Sequence, residues 1–290
     1  MSISVGIGLA FVAMLCWGIG DFLIQRSTRK IGDFETLLAI TGPGALILLP
    51  FVWRDIGGLF SGGFDAKILL VGSFILFAAA LFEFEALRRG KISVIEPTWS
   101  LEIPTSVFLA YLVLSEKLTL VQLLIILSLV VGLFLVSYRG KVFSHRFFLE
   151  RGVLIGLLAA VVMGSANFFV GWGARLTDPL LTNFVFNVVM ALGSGLFLLM
   201  RGRFFQFFRD FSRTRTLMLP MLISDNAAWV AFAFAMTLAP IGIAVALSES
   251  YIIVAVILGL AINRERLERH QKIGLVVAIA AAVTLASITV

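Results

Sequence analysis

Three acids, Glu102, Asp225 and Glu249, lie near the middle of apolar runs long enough to cross a bilayer. A charged side chain at that depth costs roughly 2.5–3.5 kcal/mol even on a lenient insertion scale, so each calls for a partner or a task. A carboxylate there binds an organic cation, carries a proton, or is hydrogen-bonded into the packing. At about 100° per residue, Thr98, Trp99, Thr105 and Ser106 share the arc of Glu102, while Pro97 and Pro104 fall on the opposite side. Each proline withholds a helical donor and frees a carbonyl, so a bend is expected there. Glu102 with Trp99 therefore reads as a cavity lining or as a packed acid.

The other polar groups follow the same logic. Trp229 lies one turn beyond Asp225 and Asn226. A carboxylate beside an indole face suits an organic cation, and equally a proton relay or a packing contact. Glu249 stands with Tyr251 in the run SESY. Asn183, Asn187 and Ser194 fall within about 40° of one another on one helix face, where polar groups line a pore or bond across helices. Asp21 and Asn167 sit near helix ends, for gating or as solvated termini.

Catalytic apparatus is missing from the sequence. His145 and His270 lie between the apolar runs, Cys16 is the single cysteine, and no HExxH, GxSxG or P-loop occurs. No metal, cofactor or enzymatic activity is expected.

The elements that must position these residues are helices. The chain has 290 residues, 60% of them apolar and 14% charged, with a mean hydropathy of +1.05. That is too apolar for a surface facing water. The predicted spans are Ile3–Ile24, Phe34–Trp53, Ile68–Leu87, Ile92–Leu114, Leu118–Tyr138, Gly152–Ala174, Leu180–Met200, Leu217–Leu238, Ile241–Ile262 and Ile273–Val290. Runs such as 123–136 lack the alternation of a membrane β-barrel. The fold class is an all-α integral membrane protein of ten transmembrane helices.

Charge orients it. Arg26, Arg29, Lys30, Arg88, Arg89, Lys91, Arg139, Lys141, Arg146, Arg151, Arg201, Arg203, Arg209, Arg213, Arg215, Arg264, Arg266, Arg269 and Lys272 occupy odd-numbered joints. The even joints hold Arg54, Lys67, Lys117 and Arg175. Retention of basic residues on the inner side places the odd joints in the cytoplasm and both termini outside. The net charge of +6 is scattered between apolar runs, which excludes a nucleic-acid surface. The long joints 139–151 and 201–216 interleave Arg with Phe and read as interfacial segments on anionic lipid.

The second half repeats the first. At a shift of 146, Gly6, Gly18, Phe22, Arg29 and Thr36 meet Gly152, Gly164, Phe168, Arg175 and Thr182. At a shift of 149, Ala86, Ile103, Val107, Leu109, Glu116, Leu118 and Gln122 meet Ala235, Ile252, Val256, Leu258, Glu265, Leu267 and Gln271. Five spans per copy force the second to enter from the opposite side, giving an inverted pair. The units are residues 1–138 and 152–290, joined by a cytoplasmic loop at 139–151.

The Trp17-Gly18 pair, the segment 103–137 and the segment 257–283 resemble the EamA repeats of the drug/metabolite transporter superfamily. The second copy departs with Met163 in place of Trp17 and Ile253 in place of Pro104. The resemblance implies two inverted five-helix repeats in which spans 1–4 and 6–9 enclose a central cavity and spans 5 and 10 are peripheral. It implies a secondary transporter for a small organic solute (amino acid, amine, metabolite or drug), exporting by alternating access with or without proton coupling. Buried acids without buried Lys or Arg favour a cationic or zwitterionic solute over an anionic one. The alternatives are a facilitative exchanger or uniporter of a sugar or nucleotide sugar, and a channel or scaffold. The expected setting is the inner or plasma membrane, as monomer or homodimer, with the lipid bilayer and the solute as partners.

Overall fold

A computed structural model describes residues 2–60, 62–89, 97–138, 151–262 and 267–290. Among them every regular element is a helix: α1 (Ile3–Ile31), α2 (Asp33–Val52), α3 (Ile56–Leu59), α4 (Phe64–Arg89), α5 (Glu102–Leu114), α6 (Leu120–Ser137) and α7 (Arg151–Leu176). There follow α8 (Pro179–Met200), α9 (Phe204–Arg213), α10 (Arg215–Leu238), α11 (Ile241–Ser248), α12 (Tyr251–Ile262) and α13 (Arg269–Thr289). In lipid a helix satisfies its own backbone, which is why apolar runs of this length take no other form.

Nine stretches among the described residues are long and apolar enough to cross a membrane; α11 and α12 together make one of them, the ninth of the ten expected spans. The expected fourth span is described from Pro97 onward; its first residues, 92–96, lie outside the described set. Helices also run past the apolar limits read from sequence. α1 continues through Arg26 and Lys30 to Ile31, so these basic residues ride on a helix rather than in a loop. Gly32, at φ 107°, ends α1 and opens α2. That left-handed backbone is open to glycine at little cost.

The packing is that of two related halves. α1 lies against α10, and α4 against α7; α2 pairs with α8, and α6 with α13. Exchanging each span with the one five places on converts the first contact into the second and returns the other two to themselves. The capping box Thr119 with Gln122 at α6 recurs as Glu268 with Gln271 at α13, 149 residues on. α6 and α13 are also the least buried of the nine spans, at 33% and 28%, and meet closely through Gly132 and Gly274. The rest surround a core that includes Ile103, Phe168, Phe232 and the whole of α11.

Candidate functional site

Two spans are discontinuous at matching positions. Pro97 to Trp99 are helical, Ser100 and Leu101 form a turn, and α5 restarts at Glu102. The Ser100 hydroxyl donates to the Pro97 carbonyl at 2.8 Å, and Leu101 N–H donates to Thr98 O at 3.1 Å. Pro104 falls in the first turn of α5, where a missing N–H costs nothing. The sequence predicts a bend here; the structure has an interruption. In the ninth span α11 stops at Ser248, Glu249 and Ser250 form the turn, and α12 begins at Tyr251. A shift of 149 carries Ser100 and Leu101 onto Glu249 and Ser250.

Close glycine contacts hold both breaks. A Cβ on Gly164 of α7 would fall 2.5 Å from the Glu102 carbonyl and 2.7 Å from Thr105. A Cβ on Gly18 of α1 would fall 2.5 Å from Val254 and 3.2 Å from the Tyr251 carbonyl. Gly18 and Gly164 are partners at shift 146, and Glu102 and Thr105 match Tyr251 and Val254 at shift 149. The backbone arrangement is therefore duplicated. Ser106 fastens the first copy by donating to Gly164 O at 2.7 Å, and Ser248 fastens the second through Ala10 O at 3.3 Å.

The acids of the two broken spans meet at one amide. Asn167 Nδ2 donates to Glu102 Oε2 at 3.3 Å and to Glu249 Oε1 at 3.0 Å. Glu102 is 4% exposed and Asn167 1%, whereas Glu249 is only partly buried. Glu102 occupies the first turn of α5, whereas Glu249 is the C-cap of α11, two residues before α12 begins. Glu102 thus lies by the positive end of a helix dipole, which offsets part of its burial. Two carboxyl groups, one from each half, share one amide donor. Counting along the sixth apolar run puts Asn167 near a helix end; the structure buries it among the acids of both halves.

An aromatic group includes Tyr251, two residues beyond Glu249 in the chain. Trp17 packs edge-on against Trp229 at 5.0 Å, Phe232 at 4.9 Å and Tyr251 at 6.4 Å between centroids. Asp225 is buried on α10 where that helix passes Gly20 of α1, one turn before Trp229. The Trp99 indole nitrogen, just ahead of the first break, is buried with no hydrogen-bond partner among the described residues. Trp17 was legible only as part of a Trp-Gly pair, and its aromatic partners come from distant spans.

The remaining candidates serve helix contacts. Asn183 donates to Pro179 O at 2.8 Å and Trp229 O at 3.3 Å. Asn187 donates to Asn226 Oδ1 at 2.9 Å, and Asn226 in turn donates to Ile40 O at 3.1 Å and Leu222 O at 2.9 Å. This amide chain ties α2, α8 and α10, and a side chain at Gly44 would collide with it. Ser194, on the same face, is buried without a hydrogen-bond partner among the described residues. The side chain of Asp21 lies outside the described set.

Each end of the bundle carries an ion pair that sequence spacing does not single out. On the even-joint face Arg175 Nη1 donates to Glu116 at 3.0 Å, while its Nε and Nη2 donate to Met236 O at 2.7 Å and Ala239 O at 2.9 Å. Glu116 also accepts from Gly242 N at 3.2 Å, so one clasp joins the ends of α5, α7, α10 and α11. On the basic face Arg203 approaches the buried Glu35 at 2.9 Å. Among the described residues no three His, Cys, Asp or Glu side chains form a metal site.

A bundle of apolar helices in two inverted repeats, with polar groups of both halves converging inside, defines an integral, multi-pass membrane protein of transporter architecture. The profile of the EamA-like transporter family matches residues 4–138 and 150–287, and the chain belongs to that family. It is accordingly a membrane transporter of small solutes within the drug/metabolite transporter superfamily. No curated protein matches the chain. Among 29 matching solved chains, one protein crystal structure has a TM-score of 0.77 at 14% identity, covering 98% of this chain and 97% of its own. That likeness is one of fold.

Proposed function

We propose that this protein is a secondary transporter for a small cationic or zwitterionic organic solute, working by alternating access around Glu102, Asn167 and Glu249. The observation that carries the proposal is the meeting of one acid from each broken span at a single amide. Both spans can hinge at their breaks, and both would carry a ligand of the centre when they do. Glu249, partly accessible and next to Tyr251, is the contact for the solute's positive group; Trp229 and Tyr251 offer ring faces to it. The Trp99 N–H supplies a donor for the carboxylate of a zwitterion.

A proton at the centre replaces the solute's charge on the return step, which makes the transport proton-coupled. The direction is export, across an inner or plasma membrane whose cytoplasmic side is the arginine-rich face. No described Lys or Arg is among the buried residues, which argues against an anionic sugar nucleotide. The work is transport rather than catalysis.

The test begins with a thermal-shift screen of amino acids, amines, quaternary ammonium compounds and sugars at two pH values, followed by reconstitution with a pH-sensitive dye inside the vesicles. Stabilisation by an amine or amino acid, with saturable counterflow and solute-driven pH change, is expected. Counterflow without pH change in the wild type removes the proton and leaves an exchanger or uniporter. Stabilisation by sugar nucleotides alone overturns the assignment of solute class.

A further inference from the structure

Between α8 and α10 the chain forms a helix of its own, α9, within a segment holding Arg201, Arg203, Arg209, Arg213 and Arg215 and a single acid, Asp210. Phe204, Phe207, Phe208 and Phe211 fall within about 100° of helix circumference, and Arg209 and Arg213 project from the far side. Phe207 is buried in a cluster with Ile31, Leu38, Leu198 and Met218, which anchors α9 against the ends of α1, α2, α8 and α10. Phe208 and Phe205 on its flank stay 56% and 82% exposed. Arg209 and Arg213 are exposed as well.

We propose that α9 is a docking surface for anionic phospholipid. α8 and α10 are both spans, so the helix joining them lies at the level where the bilayer ends. An apolar flank continuous with the transmembrane surface, backed by exposed arginines, matches acyl chains beneath a layer of phosphate headgroups. Phe205 and Phe208 enter the acyl region, and Arg209 and Arg213 hold the headgroups. The docked helix also braces the transporter. Arg203, one residue before α9, makes an ion pair with Glu35 at the start of α2 and donates to the Ile31 carbonyl at the end of α1 at 3.5 Å. Lipid held by α9 thereby steadies the two helix ends that this arginine joins.

Native mass spectrometry of the full-length protein, titrated with phosphatidylglycerol or phosphatidylcholine, tests the proposal. Phosphatidylglycerol should be preferred, and the preference should weaken in raised salt. Each basic side chain near an anionic surface contributes roughly fivefold in affinity, so Arg209→Gln with Arg213→Gln should lower the preference by roughly 30-fold. The Arg209→Lys, Arg213→Lys pair should retain most of it, and this charge-keeping variant separates headgroup binding from a folding defect. Equal binding of the two lipids by the wild type overturns the proposal. So does an undiminished preference in the Gln variant, which would place the lipid elsewhere.

Discussion

The fourth and ninth spans share a backbone device and differ in the chemistry placed on it. Each breaks at the same repeat position, and each resumes beside a glycine of the facing half: Gly164 against Glu102, Gly18 against Tyr251. The acids are not repeat partners, because Glu249 lies in its turn whereas Glu102 follows its own. Glu102 is thereby buried in the first turn of α5, and Glu249 keeps accessible surface. Duplication thus supplies two equivalent breaks while divergence supplies two unequal acids. On the proposed mechanism the shielded acid serves the proton and the reachable one the solute.

The most demanding break of this comparison is neutralisation of one acid at a time. Glu249→Gln should weaken solute affinity by more than about 30-fold, since it removes the direct charge partner of a buried cation. Glu102→Gln should leave affinity within a few-fold and abolish solute-driven pH change in vesicles. Identical phenotypes would remove the division of labour, and pH coupling retained in both would remove the proton from the mechanism.

The glycine contacts at the breaks come next. Gly164→Ala should cost about 1–3 kcal/mol in thermal unfolding, because its Cβ meets the Glu102 backbone, which cannot step aside. Gly18→Ala meets the Val254 Cβ instead, so Val254→Gly, which removes that atom, should restore part of the melting temperature lost. Failure of that rescue would mean that Gly18, like Gly164, is held by a backbone contact. Asn187→Ala should cost about 1 kcal/mol and leave the pH response intact, as expected of an amide that fastens helices. Smallest is the coupling between Glu116 and Arg175 in a double-mutant cycle, about 0.5–1 kcal/mol, because the arginine side chain is 30% exposed.

Much of this was legible in the chain. Apolar runs of bilayer length declare the spans, and the paired Glu116 and Glu265 with Gln122 and Gln271 declare the repeat. Pro97 and Pro104 mark the irregularity of the fourth span, but the ninth has no proline near Glu249, and its break is visible only in three dimensions. Glu102 and Glu249 stood out singly as acids in lipid. Their junction did not, since it runs through Asn167, 65 residues from one and 82 from the other. The face of Asn183, Asn187 and Ser194 left lining and packing equally open; Asn183 and Asn187 engage α10.

The sequence by itself determined that the chain enters lipid, where its helices lie, that its halves repeat and at what depth its acids are carried. Those properties follow from apolar length and backbone hydrogen bonding, which are local. Only the tertiary structure decided which polar groups meet. That depends on the rotation of each helix about its axis and on contacts between opposite halves, set by glycine approaches and side-chain shape rather than by any periodic signal.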